Sequence, residues 1–481
     1  MNNDKKKVLV LGAGITGLTC AYVLSRRGFE VTILEKSGFV GGLAATFSHN
    51  KHLLDYGPHN FHTHIPGVLE FVRDRLGVPM NRLPVTSSKL FFMGKFVDYP
   101  IKIFDALKTL SLSLTIRCFL DYILTRIGAK LRLKEKNEDS FEAWVRNRFG
   151  FFLYRLYFGP YVKKVWGIPA SEIDSIVARK RIPEPSLFSL IVRSLTGIKF
   201  GVRHSEDPSL VESYYPPKGI GGISKKLAEK VEEYAGHVEL NCDIKEIASD
   251  SSGNNRILYS AGECVKDIRW DYLVNTIPIN NFTALLNAPG KDRITQDAQR
   301  LTYRSIILLY MFLSVDKVFD DPWIYFNESD NEDLIFNRLY EVGGFSREML
   351  HEGKGIICLE ITCYKGDNIW NSSDKELYDK CINYLEKNKF LSRSKVVEIL
   401  TKRIEVAYPV FRKGYHNRLL TVIKYFTEMG NIFSLGRQGL FSYANMDHCI
   451  DMGLRIESLI KDGKLDSSSF LKNYYEFFSY K

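Results

Sequence analysis

The chain has 481 residues, of which 45% are hydrophobic and 25% charged. That length sustains a large core and two or three domains, and with no run of 18 apolar residues a membrane-spanning helix is not expected. Lys and Arg number 66 against 56 Asp and Glu, a net charge of +10, which favours an anionic partner: a phosphorylated small molecule, an acidic membrane surface or nucleic acid. No basic tract or nucleic-acid motif stands out, so nucleic acid is set aside and most of the excess is read as solvated surface. The eight cysteines lack paired spacing, which suits reduced core thiols better than disulfides or zinc; no metal is expected, and the composition reads as cytoplasmic.

The first element is KVLVLGAGITGLTCAYVLSRRGFEVTILE, Lys7 to Glu35. An apolar run meets Gly12, Gly14 and Gly17 in the pattern G-x-G-x-x-G, predicting strand, tight turn and helix. The first glycine permits the turn, the second lets backbone approach a pyrophosphate, and the third lets helix pack on strand. A second strand, Val31 to Leu34, delivers Glu35, an acid placed to accept a hydrogen bond from a ribose hydroxyl. Dinucleotide binding follows. The next glycines, Gly41 and Gly42 in KSGFVGGLAATF, let backbone come close to a ligand. This loop resembles the second phosphate-contacting loop of the FAD-containing amine oxidase and protoporphyrinogen oxidase superfamily, so FAD is preferred over NAD.

LLDYGPHNFHTH (Leu53 to His64) is turn-rich and dense in histidine, which suggests a site, though no carboxylate or cysteine pattern completes a metal set. A helix over Pro66 to Leu76 and a hairpin turning at Gly94 follow. Residues Ile101 to Leu133 read as an amphipathic pair of helices facing the core, with a membrane-surface patch as the second reading. Further helices run from Phe141 to Trp166. The segments GHVELNCDIKEIAS, RILYSAG and DYLVNTIPI read as strands, the last resembling the strand by which this superfamily re-enters the nucleotide-binding sheet. RSIILLYMFLSV and GIICLEITCY suit an antiparallel sheet. The end, from Asn431, reads as strand, Gly-rich loop and helix.

Taken in order, GPHNFHT (Gly57 to Thr63), YVKKVWG (Tyr161 to Gly167), RIP (Arg181 to Pro183), NRLYE (Asn337 to Glu341), YPV (Tyr408 to Val410) and GRQGLFSYANMD (Gly436 to Asp447) resemble motifs of the flavin-dependent sugar mutases typified by UDP-galactopyranose mutase. The resemblance implies an α/β fold: a discontinuous Rossmann-like FAD-binding domain (1–64, 206–300 and 426–481), a mostly helical cap (65–205) and an inserted antiparallel substrate sheet (301–425). It implies an FAD-dependent mutase interconverting pyranose and furanose forms of a nucleotide-diphosphate sugar through a reduced-flavin N5-glycosyl adduct, for cell-surface polysaccharide biosynthesis. Tyr161 and Trp166 would stack on the base, Arg181 and Arg338 hold the diphosphate, and Tyr408 and Tyr443 contact the same phosphates. Arg437 would stand in the loop at the flavin and His59 beside its ring. Two departures touch the substrate site: Glu184-Pro185 follows RIP where the family commonly has Val-Arg, and Asn445 replaces an acid. An oxidoreductase of the protoporphyrinogen or amine oxidase kind acting on an apolar substrate is the alternative, and a non-catalytic flavoprotein the third reading.

Overall fold

The computed structural model describes residues 5–83, 88–99, 110–131, 138–182, 212–250, 252–328 and 333–478. They form two compact units, one from 1–83, 212–302 and 415–481, the other from 84–211 and 303–414. Each is assembled from separate stretches of chain.

The first unit is built on a five-stranded parallel sheet in the order Ile432–Ser434, Tyr272–Asn275, Lys7–Leu11, Glu30–Leu34, His237–Glu239. Parallel strands require crossovers, and helix Ile15–Arg26 provides the first; all but its last residue are buried. DYLVNTIPI re-enters beside Lys7–Leu11 as expected. A four-stranded sheet is added (Cys264–Arg269, Arg256–Ala261, Cys242–Ala248, Leu286–Asn287): its first three strands lie in the chain between His237–Glu239 and Tyr272–Asn275, and Leu286–Asn287 follows the latter. Helix Tyr415–Met429 packs on strand Ile432–Ser434 and so belongs to this unit, which places the boundary at 414/415 rather than near 425. The helix expected at Pro66 to Leu76 forms as Val68–Glu70 and then widens over Phe71–Arg75, where Leu76 N–H bonds Phe71 O five residues back.

The second unit is organised by a seven-stranded sheet in the order Val396–Pro409, Tyr303–Leu313, Ile356–Cys363, Arg338–Glu341, Trp323–Phe326, Ser88–Phe92, Lys95–Tyr99. Every residue of Tyr303–Leu313 and Ile356–Cys363 is buried, which explains why both read as continuous apolar runs without alternation. Leu377, Cys381, Ile382 and Leu385 of helix Asp374–Lys387 belong to the core on one face of this sheet.

One expectation is overturned here. The helix within 101–133, described as Leu112–Lys130, was expected to face its apolar residues to the core; Leu112, Ile116, Leu120 and Leu124 instead point to solvent. Residues 101–109, where a paired helix was expected, lie outside the described residues.

Candidate active site

The first unit presents a cradle built from backbone. Gly12 has φ +96°, and its N–H bonds Leu34 O at 2.9 Å, locking the turn to the second strand. A Cβ on Gly17 would lie 2.0 Å from Gly12 O, so only glycine lets the helix begin against the turn. A Cβ on Gly14 would meet nothing within 4 Å. Helix Ile15–Arg26 starts there with no side-chain cap and no acid in its first turn, so its positive end is not neutralised by the protein itself. Gly41 (φ +113°) bonds Ala13 O at 2.8 Å, and Gly42 (φ +56°) follows in the same left-handed region. Glu35 is 9% exposed; it accepts from Ala13 N–H at 2.7 Å and from the Ser37 N–H and hydroxyl. A carboxylate accepts about four bonds, so capacity for a ribose hydroxyl remains. A second turn, Gly436, rests on Thr16, since a Cβ there would lie 2.7 Å from the Thr16 hydroxyl. These residues fit a dinucleotide: open backbone at an uncapped helix end, with an acid beside it.

The histidine loop is pinned at both ends. At one end Asp55, 4% exposed, accepts from the hydroxyls of Thr46 and Tyr215 and from Ile220 N–H at 3.2 Å. At the other, Phe61 and Tyr214 exchange backbone bonds of 2.9 and 2.7 Å, and the Asn60 amide reaches the Ser213 hydroxyl at 3.1 Å. His59, half-buried between these pins, donates from Nδ1 to Gly57 O at 3.0 Å, because a carbonyl can only accept. Burial pushes His62 below the ordinary histidine pKa, against the opposing pull of Asp447. Asp55 was missed in the sequence, although a lone acid after the apolar pair Leu53-Leu54 is a visible signal.

Burial pushes Asp55 up to about 6, against the pull of its three donors. The native state therefore keeps a proton that the unfolded chain releases, so stability falls as pH rises from about 4 to about 6 and levels above that window. Asp55→Asn, neutral throughout, is expected to flatten that slope. Thermal melts of both proteins across this range check it; parallel slopes would refute the buried carboxyl.

In the C-terminal loop, Arg437 donates to Ala444 O at 2.8 Å and its guanidinium lies 4.9 Å from the Tyr443 ring centroid. Tyr443 thus offers its ring face to Arg437. Asn445 caps helix Met446–Arg455, in a reciprocal pair with His448. Asn is one of the favoured N-cap residues, so the helix start is kept despite the acid-to-amide departure.

In the second unit the strand register sets Arg338 directly opposite Glu360. Glu360 is 2% exposed and accepts from Arg338, from the Tyr408 hydroxyl at 3.1 Å and from the Asn337 amide at 3.3 Å. Burial opposes the Arg338 charge, but the Glu360 carboxylate more than offsets it, raising Arg338 well above its ordinary pKa. The Arg338 Nε is buried without an acceptor among the described residues. Glu360 was missed because GIICLEITCY reads as one apolar strand with a single acid in it.

Tyr161 and Trp166 separate. Tyr161 is half-buried and stacks on Tyr157, their planes 2° apart. Trp166 is 1% exposed and sits in the core. The end of helix Gly159–Trp166 is held by Arg304, which donates to Val165 O and Thr362 O at 3.3 and 3.2 Å. Arg181 closes helix Ser175–Arg181; its side chain, and Pro183, Glu184 and Pro185, lie outside the described residues. Among those residues no group of three His, Cys, Asp or Glu could hold a metal ion.

Comparison with known proteins extends this geometry. UDP-galactopyranose mutase of Mycoplasma pneumoniae is 28% identical over 298 residues, 58% of this chain and 64% of that protein. Mitochondrial protoporphyrinogen oxidase of Nicotiana tabacum is 26% identical over 274 residues, 55% of this chain and 53% of that one. The chain thus matches less than two thirds of the length of either relative. A crystal structure of reduced UDP-galactopyranose mutase superposes with a TM-score of 0.80 over 99% of both chains at 21% identity, a likeness of fold. The description "Flavin containing amine oxidoreductase" matches residues 15–391. With the glycine cradle, the uncapped helix end and Glu35 beside it all in place, the chain belongs to the flavin containing amine oxidoreductase family, and its cofactor is FAD.

Proposed function

We propose that the protein is an FAD-dependent mutase that interconverts the pyranose and furanose forms of a nucleotide-diphosphate sugar, in the service of cell-surface polysaccharide synthesis. The observation that carries this reading is the Arg338–Glu360–Tyr408 cluster. A buried guanidinium fixed by one carboxylate, with its Nε–H lacking an acceptor among the described residues, is completed by an anionic oxygen, and an apolar substrate leaves that donor unmet.

Bound reduced flavin supplies a nucleophilic ring nitrogen for the anomeric carbon. The chain's own residues bind and neutralise. Arg338, held in one orientation by Glu360, and Arg181 take the charge of the diphosphate as it leaves the sugar and return it after the ring recloses. Tyr408 turns its hydroxyl proton from Glu360 to the same phosphates, and Tyr161 offers its ring to the base. His59 and Arg437 belong to the flavin side, in the first unit. No nucleophile–base dyad is required, because the reactive atom belongs to the cofactor.

The match to protoporphyrinogen oxidase keeps a second reading in view, with oxidised FAD accepting hydride from an apolar substrate. A screen of UDP-, GDP- and dTDP-sugars separates the two. Dithionite-reduced enzyme is expected to interconvert ring forms without consuming reductant stoichiometrically, and air-oxidised enzyme to be inactive. Full turnover by oxidised enzyme, or substrate-driven bleaching of the flavin, would sink the mutase reading.

A further inference from the structure

Helix Leu112–Lys130 is inverted relative to an ordinary surface helix. The side chains it turns inward are mostly small or polar, among them Thr115, Cys118, Asp121, Tyr122 and Thr125, with Leu114 the apolar exception. The side chains it turns outward are Leu112, Ile116, Phe119, Leu120, Leu124 and Ile127, each 49 to 76% exposed. At about 100° per residue these six fall within one arc about 140° wide, and the inward residues occupy the opposite side. An outward apolar stripe along five turns carries a hydration cost that only a partner removes.

The charges around the stripe say which partner. Arg117 and Arg126 are exposed and lie on opposite borders of the arc. On the neighbouring helical stretch, Arg146 and Arg155 are exposed beside the exposed rings of Phe151 and Phe152, with Arg146 5.0 Å from the Phe151 centroid. The acids of these segments are turned in: Asp121 accepts from Phe152 N–H at 2.8 Å, and Glu142 is bonded by Arg146 and Tyr154. Among the described side chains of 112–131 and 141–158, the exposed charges are therefore all cationic. A second copy pairing through this same face would set arginine borders against one another with no exposed acid to meet them. An anionic lipid surface satisfies both features, taking the apolar stripe at acyl depth and the arginines at the headgroups. No helix among the described residues is long and apolar enough to cross a membrane, so this helix would lie in the interface plane.

We propose that the outward face of helix Leu112–Lys130 docks the protein peripherally on an anionic membrane surface. This goes beyond the proposed reaction and does not depend on it. The test is co-flotation of the FAD-loaded full chain with vesicles of phosphatidylcholine alone or mixed with phosphatidylglycerol. Binding is expected with the anionic vesicles, weaker with neutral ones, and reduced by raised salt. Leu120→Glu/Leu124→Glu is expected to weaken partition about tenfold or more, and Arg117→Glu/Arg126→Glu to abolish the preference for anionic lipid. Both variants alter exposed side chains, and unchanged flavin content and melting temperature confirm that they fold. Absence of wild-type binding to either vesicle, or binding indifferent to both variants, overturns the proposal. A wild-type dimer in light scattering that becomes monomeric in the leucine variant, without vesicle binding, overturns it in favour of a second copy.

Discussion

Arg338→Ala is expected to damage binding and folding together. The variant leaves Glu360, 2% exposed, without its cation. Removing one partner of a buried pair costs about 3–5 kcal/mol, because the charge left behind is uncompensated. Urea unfolding of the holoprotein reads that loss. Nucleoside-diphosphate affinity, measured by calorimetry, is expected to fall about ten- to more than a hundredfold through loss of charge-assisted bonds. The two effects come apart in Arg338→Met/Glu360→Met, where no charge is stranded: stability should return while affinity stays low. Arg338→Lys should rescue binding only in part, since an ammonium restores charge without the fork. If Arg338→Ala binds UDP, GDP or dTDP as tightly as wild type, Arg338 holds no diphosphate and the oxidase reading gains.

The glycine cradle predicts two different failures from two similar substitutions. In Gly17→Ala the new methyl lies 2.0 Å from Gly12 O, a backbone atom that cannot move without breaking the turn. Overpacking of this kind costs about 1–3 kcal/mol or more, so the apoprotein itself should melt lower and retain little flavin. In Gly14→Ala the methyl meets no protein atom within 4 Å and enters the space assigned to the pyrophosphate. Its apoprotein should melt like wild type while the ratio of flavin to protein absorbance falls severalfold. Normal flavin content in Gly14→Ala would mean that the phosphates bind elsewhere.

The nucleotide-binding half was legible in the sequence because its constraints are local. Gly12, Gly17, Glu35 and the strands around them act over fewer than 30 residues: Gly17 answers a clash with Gly12 O inside the turn, and Gly12 a positive φ, although a Cβ on Gly12 would also meet the distant Thr276 and Ile277. The same holds for the hairpin at Gly94 and for the two continuously apolar strands of the second unit, whose composition reports burial on both faces.

What tertiary structure alone decided depends on contacts between distant residues, or on direction. Glu360 became the anchor of Arg338, 22 residues away, and of Tyr408, 48 away, only through strand pairing. Asp55 became the pin of the histidine loop through Tyr215, 160 residues on. Trp166, grouped with Tyr161 by its motif, was taken into the core by packing. The inverted helix shows the limit most clearly. A period of 3.6 apolar residues establishes from sequence that Leu112–Lys130 has one apolar face, but periodicity is unchanged by rotating the helix about its axis. Which face turns inward is fixed only by what the rest of the fold packs against it, and here that is the polar one.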